Sequence, residues 1–530
     1  MTDSPLTPQH RRYLYLVVFS SGMATLGIEL SASRLLGTVF GTSNIIWATI
    51  IGLILLYLTA GYFLGGRIAD RSPHPHTFYR LILWGAFAAG LVPIVARPVL
   101  QVAARAVLSI QAALLVGSFG VMLILFAIPV TLLGTVSPFA IRLAIEDTAT
   151  AGHVSGRMYA ISTIGSIIGT FLPVLILIPV IGTSLTFLSL AGLLLIEALI
   201  GLALIEPKRA LRFLWMPLLL IVLAIIALRG PLRPPPTGSE IIYETESAYN
   251  YIQVARWGEA NVLLLNEGQG IHSIYYPNYP DFIETGGTWD YYLAAPFFNA
   301  PPATPSDVTS LGMIGLAAGT IPKQYTAIFG PIPIDGMEID PAIVRVGRRY
   351  FNMTEPNLNV IVQDGRYALF VSDRRYDVIG IDAYRLPYIP WHLTTVEFFE
   401  DVRAHLTDRG VVAINVGRTV SDRRLIDAFA ATLEQVYPSV YVIDVPDTCN
   451  SILVATLQPT SADNLLVNRD FLPSDANPLL AKVLTSAYDQ LRPTPQGGIV
   501  FTDDRAPTEV MTDLILVNFV LSGSHELPCQ

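Results

Sequence analysis

At 530 residues the chain is too long for one ordinary domain. It is 52% apolar and only 14% charged, a membrane-protein balance. The charge is split: residues 1–230 carry 14 Lys/Arg against 7 Asp/Glu, whereas residues 231–530 carry 19 against 35. The acidity of the second half excludes nucleic acid as a partner, because phosphate binding needs a basic face.

After a short tail (1–12), the region 13–229 reads as a multi-pass transmembrane domain. A spanning helix needs about 20 mostly apolar residues. Seven stretches meet that length, near 13–33, 44–66, 79–97, 107–133, 158–181, 184–205 and 213–228. The first follows His10-Arg11-Arg12 and is expected to stay as an uncleaved helix. The Lys/Arg distribution favours a cytoplasmic N-terminus. Seven spans would then carry the second half to the opposite side, whereas a cytosolic cofactor would need it inside. The expected location is the cell membrane, with the lipid bilayer as a partner. Gly165 and Gly169 in "GSIIG" share one helix face, which suits close helix packing. Glu29 and Glu197 lie within apolar spans, where an ionisable residue is a functional candidate.

A Pro-rich linker (230–240) opens the acidic half. In 241–304, "YNYIQVARW" and "NVLLLNEG" flank Gly258-Glu259-Ala260 as a β-hairpin. From 305 to 460, strands alternate with helices: "VTSLGMIGL", "IDGMEID", "PAIVRVGRRYF", "LNVIVQD", "YDVIGID", "TTVEFFEDVRAHL" and "GVVAINV". That alternation predicts a Rossmann-like, doubly wound parallel sheet. Residues 461–530 form a C-terminal extension. Ligands of such sheets bind at the carboxyl ends of the strands. Gly315, Ala317 and Gly319 in "GLAAG" let a ligand approach the backbone after the first strand. Glu338, Asp364 and Asp382 end three successive strands, a pattern that points to a nucleoside site. Cys449 and Cys529 lack metal-site spacing, and no metal is expected.

"MEID", "QDGRYAL", "YDVIGIDAY" and "EFFEDV" occur in an order that resembles the spermidine synthase family, which shares the fold of S-adenosylmethionine-dependent methyltransferases. "ESAYNYIQV" and "LLLNEG" resemble that family's N-terminal hairpin domain. The spans in front make the whole chain similar to the membrane-fused spermidine synthase-like proteins. The resemblance implies a co-substrate, decarboxylated S-adenosylmethionine or S-adenosylmethionine itself, and a polyamine-like amine. It gives Glu338 the ribose and Asp364 the adenine, and makes Asp382 the catalytic acid that deprotonates and positions the amine. Asn250 and His272 stand at further cofactor-contacting positions. Asp290 and Tyr384 stand at amine-side positions, and a homo-oligomer is compatible with the resemblance.

The pattern departs from the family at several points. Ala318 replaces an acid of the Gly loop, and Arg385 stands where a second, diamine-binding acid is expected. Asp503, Asp504 and Glu509 in "TDDRAPTE" are candidate replacement carboxylates. The expected activity is aminopropyl transfer to an amine with release of methylthioadenosine. The alternatives are a transporter or sensor with a nucleoside-binding domain, and an S-adenosylmethionine-dependent methyltransferase.

Overall fold

The computed structural model describes residues 8–40, 44–109, 113–228, 231, 233, 235–266, 270–385, 388–495 and 497–521. Residues 110–112 of the fourth expected span, and Leu386 and Pro387 beyond Arg385, lie outside the described residues. The chain divides into two compact units, residues 1–234 with 245–251, and residues 235–244 with 252–530.

The first unit is a helix bundle: α1 (Pro8–Phe40), α2 (Asn44–Arg71), α3 (Pro75–Ser109), α4 (Ala113–Gly134), α5 (Val136–Ala144), α6 (Ala151–Leu172), α7 (Ile178–Ile205), α8 (Pro207–Leu211) and α9 (Trp215–Ala227). Among the described residues, six helical runs are long and apolar enough to cross a bilayer, which is compatible with a membrane protein. One of them, Ala151–Ile205, has 55 residues, far more than the roughly 20 that a single crossing requires. Its backbone leaves helical geometry at Gly182 (φ +80°), and the two expected stretches 158–181 and 184–205 fall on either side of that break.

The glycines of "GSIIG" do bring two backbones together. A Cβ on Gly165 would lie 2.0 Å from the Phe19 carbonyl oxygen, and one on Gly169 would lie 2.1 Å from that of Met23. Helices α1 and α6 therefore run parallel in contact, in the manner of small-residue membrane interfaces. Inside this bundle Glu197 accepts from Ser20 Oγ at 2.7 Å, and its backbone carbonyl accepts from Tyr13 Oη at 2.6 Å.

The second unit carries two sheets. The smaller joins β1 (Ser239–Glu246), β2 (Tyr251–Trp257), β3 (Ala260–Leu265) and β4 (Ile271–Tyr275) in sequence order. The expected hairpin is β2–β3, turning at Gly258 (φ +58°). The larger sheet contains β5 (Leu311–Ile314), β6 (Ile334–Met337), β7 (Leu358–Ile361), β8 (Tyr376–Ile381), β9 (Leu406–Gly417), β10 (Ser439–Asp444), β11 (Asn450–Thr456) and β12 (Leu491–Arg492), ordered β12-β10-β11-β9-β8-β5-β6-β7. From β9 to β7 the pairing is parallel. Beyond β9 it is antiparallel, so the sheet is mixed rather than wholly parallel.

The helices of this unit are α10 (Thr320–Phe329), α11 (Pro341–Tyr350), α12 (Gly365–Phe370), α13 (Val396–Ala404), α14 (Arg424–Leu433), α15 (Asn464–Asp470), α16 (Pro478–Asp489) and α17 (Thr508–Leu521). Pro341 opens α11 with Asp340 as its N-cap, accepting from Ala342 N. Phe398, Phe399 and Phe429 anchor one hydrophobic cluster against the sheet. Tyr292, Phe297, Phe298 and Tyr325 anchor a second. The chain leaves β5 for β6 and β7 on one side, then returns to β8 on the other. This reversal at the carboxyl end of β5 is where doubly wound sheets open a ligand crevice.

Candidate active site

The loop after β5 is shaped by close packing. Gly315 (φ +83°) and Leu316 donate their N–H groups to the Met337 carbonyl at 3.0 and 3.1 Å. A Cβ on Gly315 would lie 2.5 Å from the Asp382 carbonyl oxygen, so a side chain there would strike the end of β8. Ala317 holds a left-handed conformation (φ +48°), and its N–H donates to Glu338 Oε2 at 2.9 Å. Asp340 N donates to the other oxygen at 3.0 Å. Ala318 N donates at 2.9 Å to Ser273 Oγ on β4, the strand that also carries His272. Gly319 (φ +86°) caps α10. Burial pushes the Glu338 carboxyl up to about 7, against the pull of its backbone hydrogen bonds.

Asp364 follows β7 and caps α12, accepting from Tyr367 N at 3.1 Å. Its Oδ2 lies 3.0 Å from His392 Nε2, and this hydrogen bond is the main reason the carboxyl is held below its ordinary range. One turn on, Arg366 donates to both oxygens of Asp503, at 2.8 and 2.9 Å. Thr395 Oγ1 also donates to Asp503, at 2.7 Å. That fork holds Asp503 below the usual carboxylate range and fixes the "TDDRAPTE" turn against α12 and α13.

Asp382 follows β8, with its N–H bonded to the Ile314 carbonyl at 2.8 Å. It keeps some exposed surface but is packed round by protein, and the resulting desolvation pushes its carboxyl up to about 6. Hydrogen bonds from Asn415 and, to a smaller extent, Trp289 work in the opposite direction. Asn415 Nδ2 donates to Asp382 Oδ1 at 3.0 Å, and Asn450 Nδ2 donates to Asn415 Oδ1 at 2.9 Å. Tyr384 Oη donates to the Asn415 carbonyl at 3.0 Å. From beneath the sheet, Tyr292 Oη donates to the Ile381 carbonyl at 2.7 Å.

The strand ends thus bring Gly315, Ala317, Glu338 and Asp382 into one linked cluster, with Gly319, Asp364 and Tyr384 around it. Other expected residues lie elsewhere or are already occupied. Asp290 is buried in the segment 288–298, and its oxygens accept from Thr285 N and Oγ1, Gly286 N and Gln324 Nε2. Asn250 falls within the first compact unit, where its N–H donates to Ser247 Oγ at 2.8 Å. Asp504 is exposed in the Thr502–Arg505 turn, and Glu509 sits in the first turn of α17. Arg385 is exposed and bridges to Tyr388. The sequence reading missed Asn415, Asn450, Trp289 and His392. The only signal for Asn415 was a lone amide inside the apolar run "GVVAINV".

A glycine turn, strand-end acids and a mixed sheet whose parallel strands reverse at β5 match the fold of S-adenosylmethionine-dependent transferases, and the chain is spermidine synthase-like. A probable polyamine aminopropyl transferase of Bifidobacterium longum is 29% identical over 313 residues, covering 55% of this chain and 68% of its own. A polyamine aminopropyltransferase of Vibrio vulnificus is 28% identical over 247 residues, covering 45% and 79%. These relatives are transferases by name. A crystal structure of a probable spermidine synthase from Corynebacterium glutamicum aligns with a TM-score of 0.39 at 19% identity, over 49% of this chain and 98% of that one. No family model matches the chain.

Proposed function

We propose that this protein is a membrane-anchored transferase that moves an aminopropyl group from decarboxylated S-adenosylmethionine to an amine. The observation that carries this reading is Asp382: a desolvated carboxylate at the sheet's reversal point, against the glycine loop. The names of the relatives support the same chemistry. In the reaction, the amine nitrogen attacks the methylene carbon beside the sulfonium. A C–N bond forms, the C–S bond breaks, and its electron pair neutralises sulfur as methylthioadenosine leaves. The attacking amine must first lose a proton, and ionised Asp382 accepts it. Glu338 is assigned to the ribose hydroxyls and Asp364 to the adenine. Asn415 positions Asp382. In-line alignment of nitrogen, carbon and sulfur supplies much of the remaining acceleration.

Calorimetry on the full-length protein tests the ligand assignment with S-adenosylmethionine, its decarboxylated form and methylthioadenosine. The proposal predicts that the decarboxylated form and methylthioadenosine bind more tightly than S-adenosylmethionine. The reverse order would favour methyl transfer on the same fold.

A further inference from the structure

Away from the strand-end acids, the helix bundle holds a cavity of about 330 Å³ lined by Arg11, Arg12, Tyr15, His153, Val154 and Arg157. Its residues come from about the first two turns of two parallel helices, α1 and α6, so two helix N-termini with their positive partial charge lie at the same end. Arg157 is held over the Tyr15 ring, its Cζ 4.6 Å from the ring centroid, which fixes the guanidinium at the cavity wall. Arg11 is partly engaged, 3.9 Å from Glu146 and donating to the Ala144 carbonyl at 3.4 Å. Among the described residues, neither Arg12 nor Arg157 has a carboxylate partner. Three guanidiniums against one carboxylate leave the cavity strongly cationic. A general positive flank on a membrane protein needs no cavity, whereas this one gathers its charge around a half-open pocket, with Arg12 and Arg157 reaching solvent, from positions far apart in sequence.

We propose that this cavity binds a phosphate group. Guanidinium groups match phosphate oxygens in pairs, and a size of several hundred Å³ is that of a small-ligand site. At the end of a bundle of apolar helices, two sources supply the group: the headgroup of an anionic phospholipid, or a free phosphate. The proposal is independent of the aminopropyl transfer assigned to the strand-end acids.

Native mass spectrometry of the full-length protein, delipidated in neutral detergent, tests it with three probes: phosphatidylglycerol, phosphatidylcholine and inorganic phosphate. Phosphatidylglycerol is expected to bind roughly tenfold or more tightly than phosphatidylcholine. The double substitution Arg12→Gln with Arg157→Gln should abolish that preference, and Arg12→Lys with Arg157→Lys should keep most of it. Millimolar inorganic phosphate that displaces phosphatidylglycerol would point to a site open to any phosphate. Failure to displace it would point to the lipid as the source. The wild-type comparison stands whether or not the variants fold. Equal binding of the two lipids, with no uptake of inorganic phosphate, would overturn the proposal. So would a folded Gln variant that binds phosphatidylglycerol as the wild type does.

Discussion

Asn415 on β9 donates to the Asp382 carboxylate at 3.0 Å, so the acid at the end of β8 is oriented by the next strand of the sheet. Asn450 on β11 in turn holds the Asn415 oxygen at 2.9 Å. Asp382 keeps some exposed surface between these donors and Trp289, which leaves the carboxylate within reach of a substrate proton.

The hydrogen bond from Asn415 lowers the Asp382 pKa, while burial raises it to about 6. Asp382 is ionised, and able to accept a proton, only above that value. Activity should therefore fall as pH drops through about 6. Asn415→Ala removes the lowering contribution and should move the acid limb of the kcat/KM profile to higher pH. A fold defect alone would lower activity without moving that limb, so a pH–rate profile of both proteins decides the matter.

Glu338 makes a second pH prediction. Its folded-state pKa is raised from 4.5 to about 7. The folded protein therefore retains a proton that the unfolded chain has lost between those values, and its stability falls as pH rises through that window. On the proposed assignment of Glu338 to the ribose, the hydroxyls donate to its ionised form and binding releases a proton. Affinity for methylthioadenosine should rise between pH 5.5 and 7.5, roughly spanning the shifted pKa. Glu338→Gln should flatten that slope, which calorimetry in two buffers of different ionisation heat would reveal.

Gly315 and Gly330 separate strain from collision. Both hold positive φ, +83° and +81°, but only at Gly315 would a Cβ strike the neighbouring backbone, 2.5 Å from the Asp382 carbonyl oxygen. Gly330→Ala should cost on the order of 1 kcal/mol from the backbone alone. Gly315→Ala should cost clearly more and also displace Asp382. Denaturant unfolding of the two variants measures the difference.

Asp503 is held by Arg366 and Thr395. Asp503→Asn should cost roughly 0.2–1 kcal/mol, since the pair is partly exposed to solvent. The KM for the amine should stay unchanged. A large rise in that KM would show instead that Asp503 serves the acceptor.

The strand-end acids were legible because each closes a short apolar run, and the glycine turn because small residues cluster only where backbone must come close. The shared face of Gly165 and Gly169 was legible for the same reason, but its partner, α1 at Phe19 and Met23, was not. The amides behind Asp382 were not. Asn415 and Asn450 lie on different strands that become neighbours through the antiparallel return of β11 onto β9, a pairing that no local pattern encodes. The burial of Asp290 was equally hidden. Asp290 was expected on the amine side, yet the aromatics of 288–298 pack as a layer beneath the sheet, and Asp290 satisfies its own loop there. The described part of the Pro-rich linker shows little regular structure, as its composition implies.

The most direct test of the central claim is product release from the full-length protein incubated with decarboxylated S-adenosylmethionine and a panel of amines. The account predicts methylthioadenosine in the presence of at least one amine, at a rate that Asp382→Asn lowers by roughly two to four orders of magnitude while nucleoside binding persists. No methylthioadenosine with any amine, or an Asp382→Asn protein as active as the wild type, would contradict it.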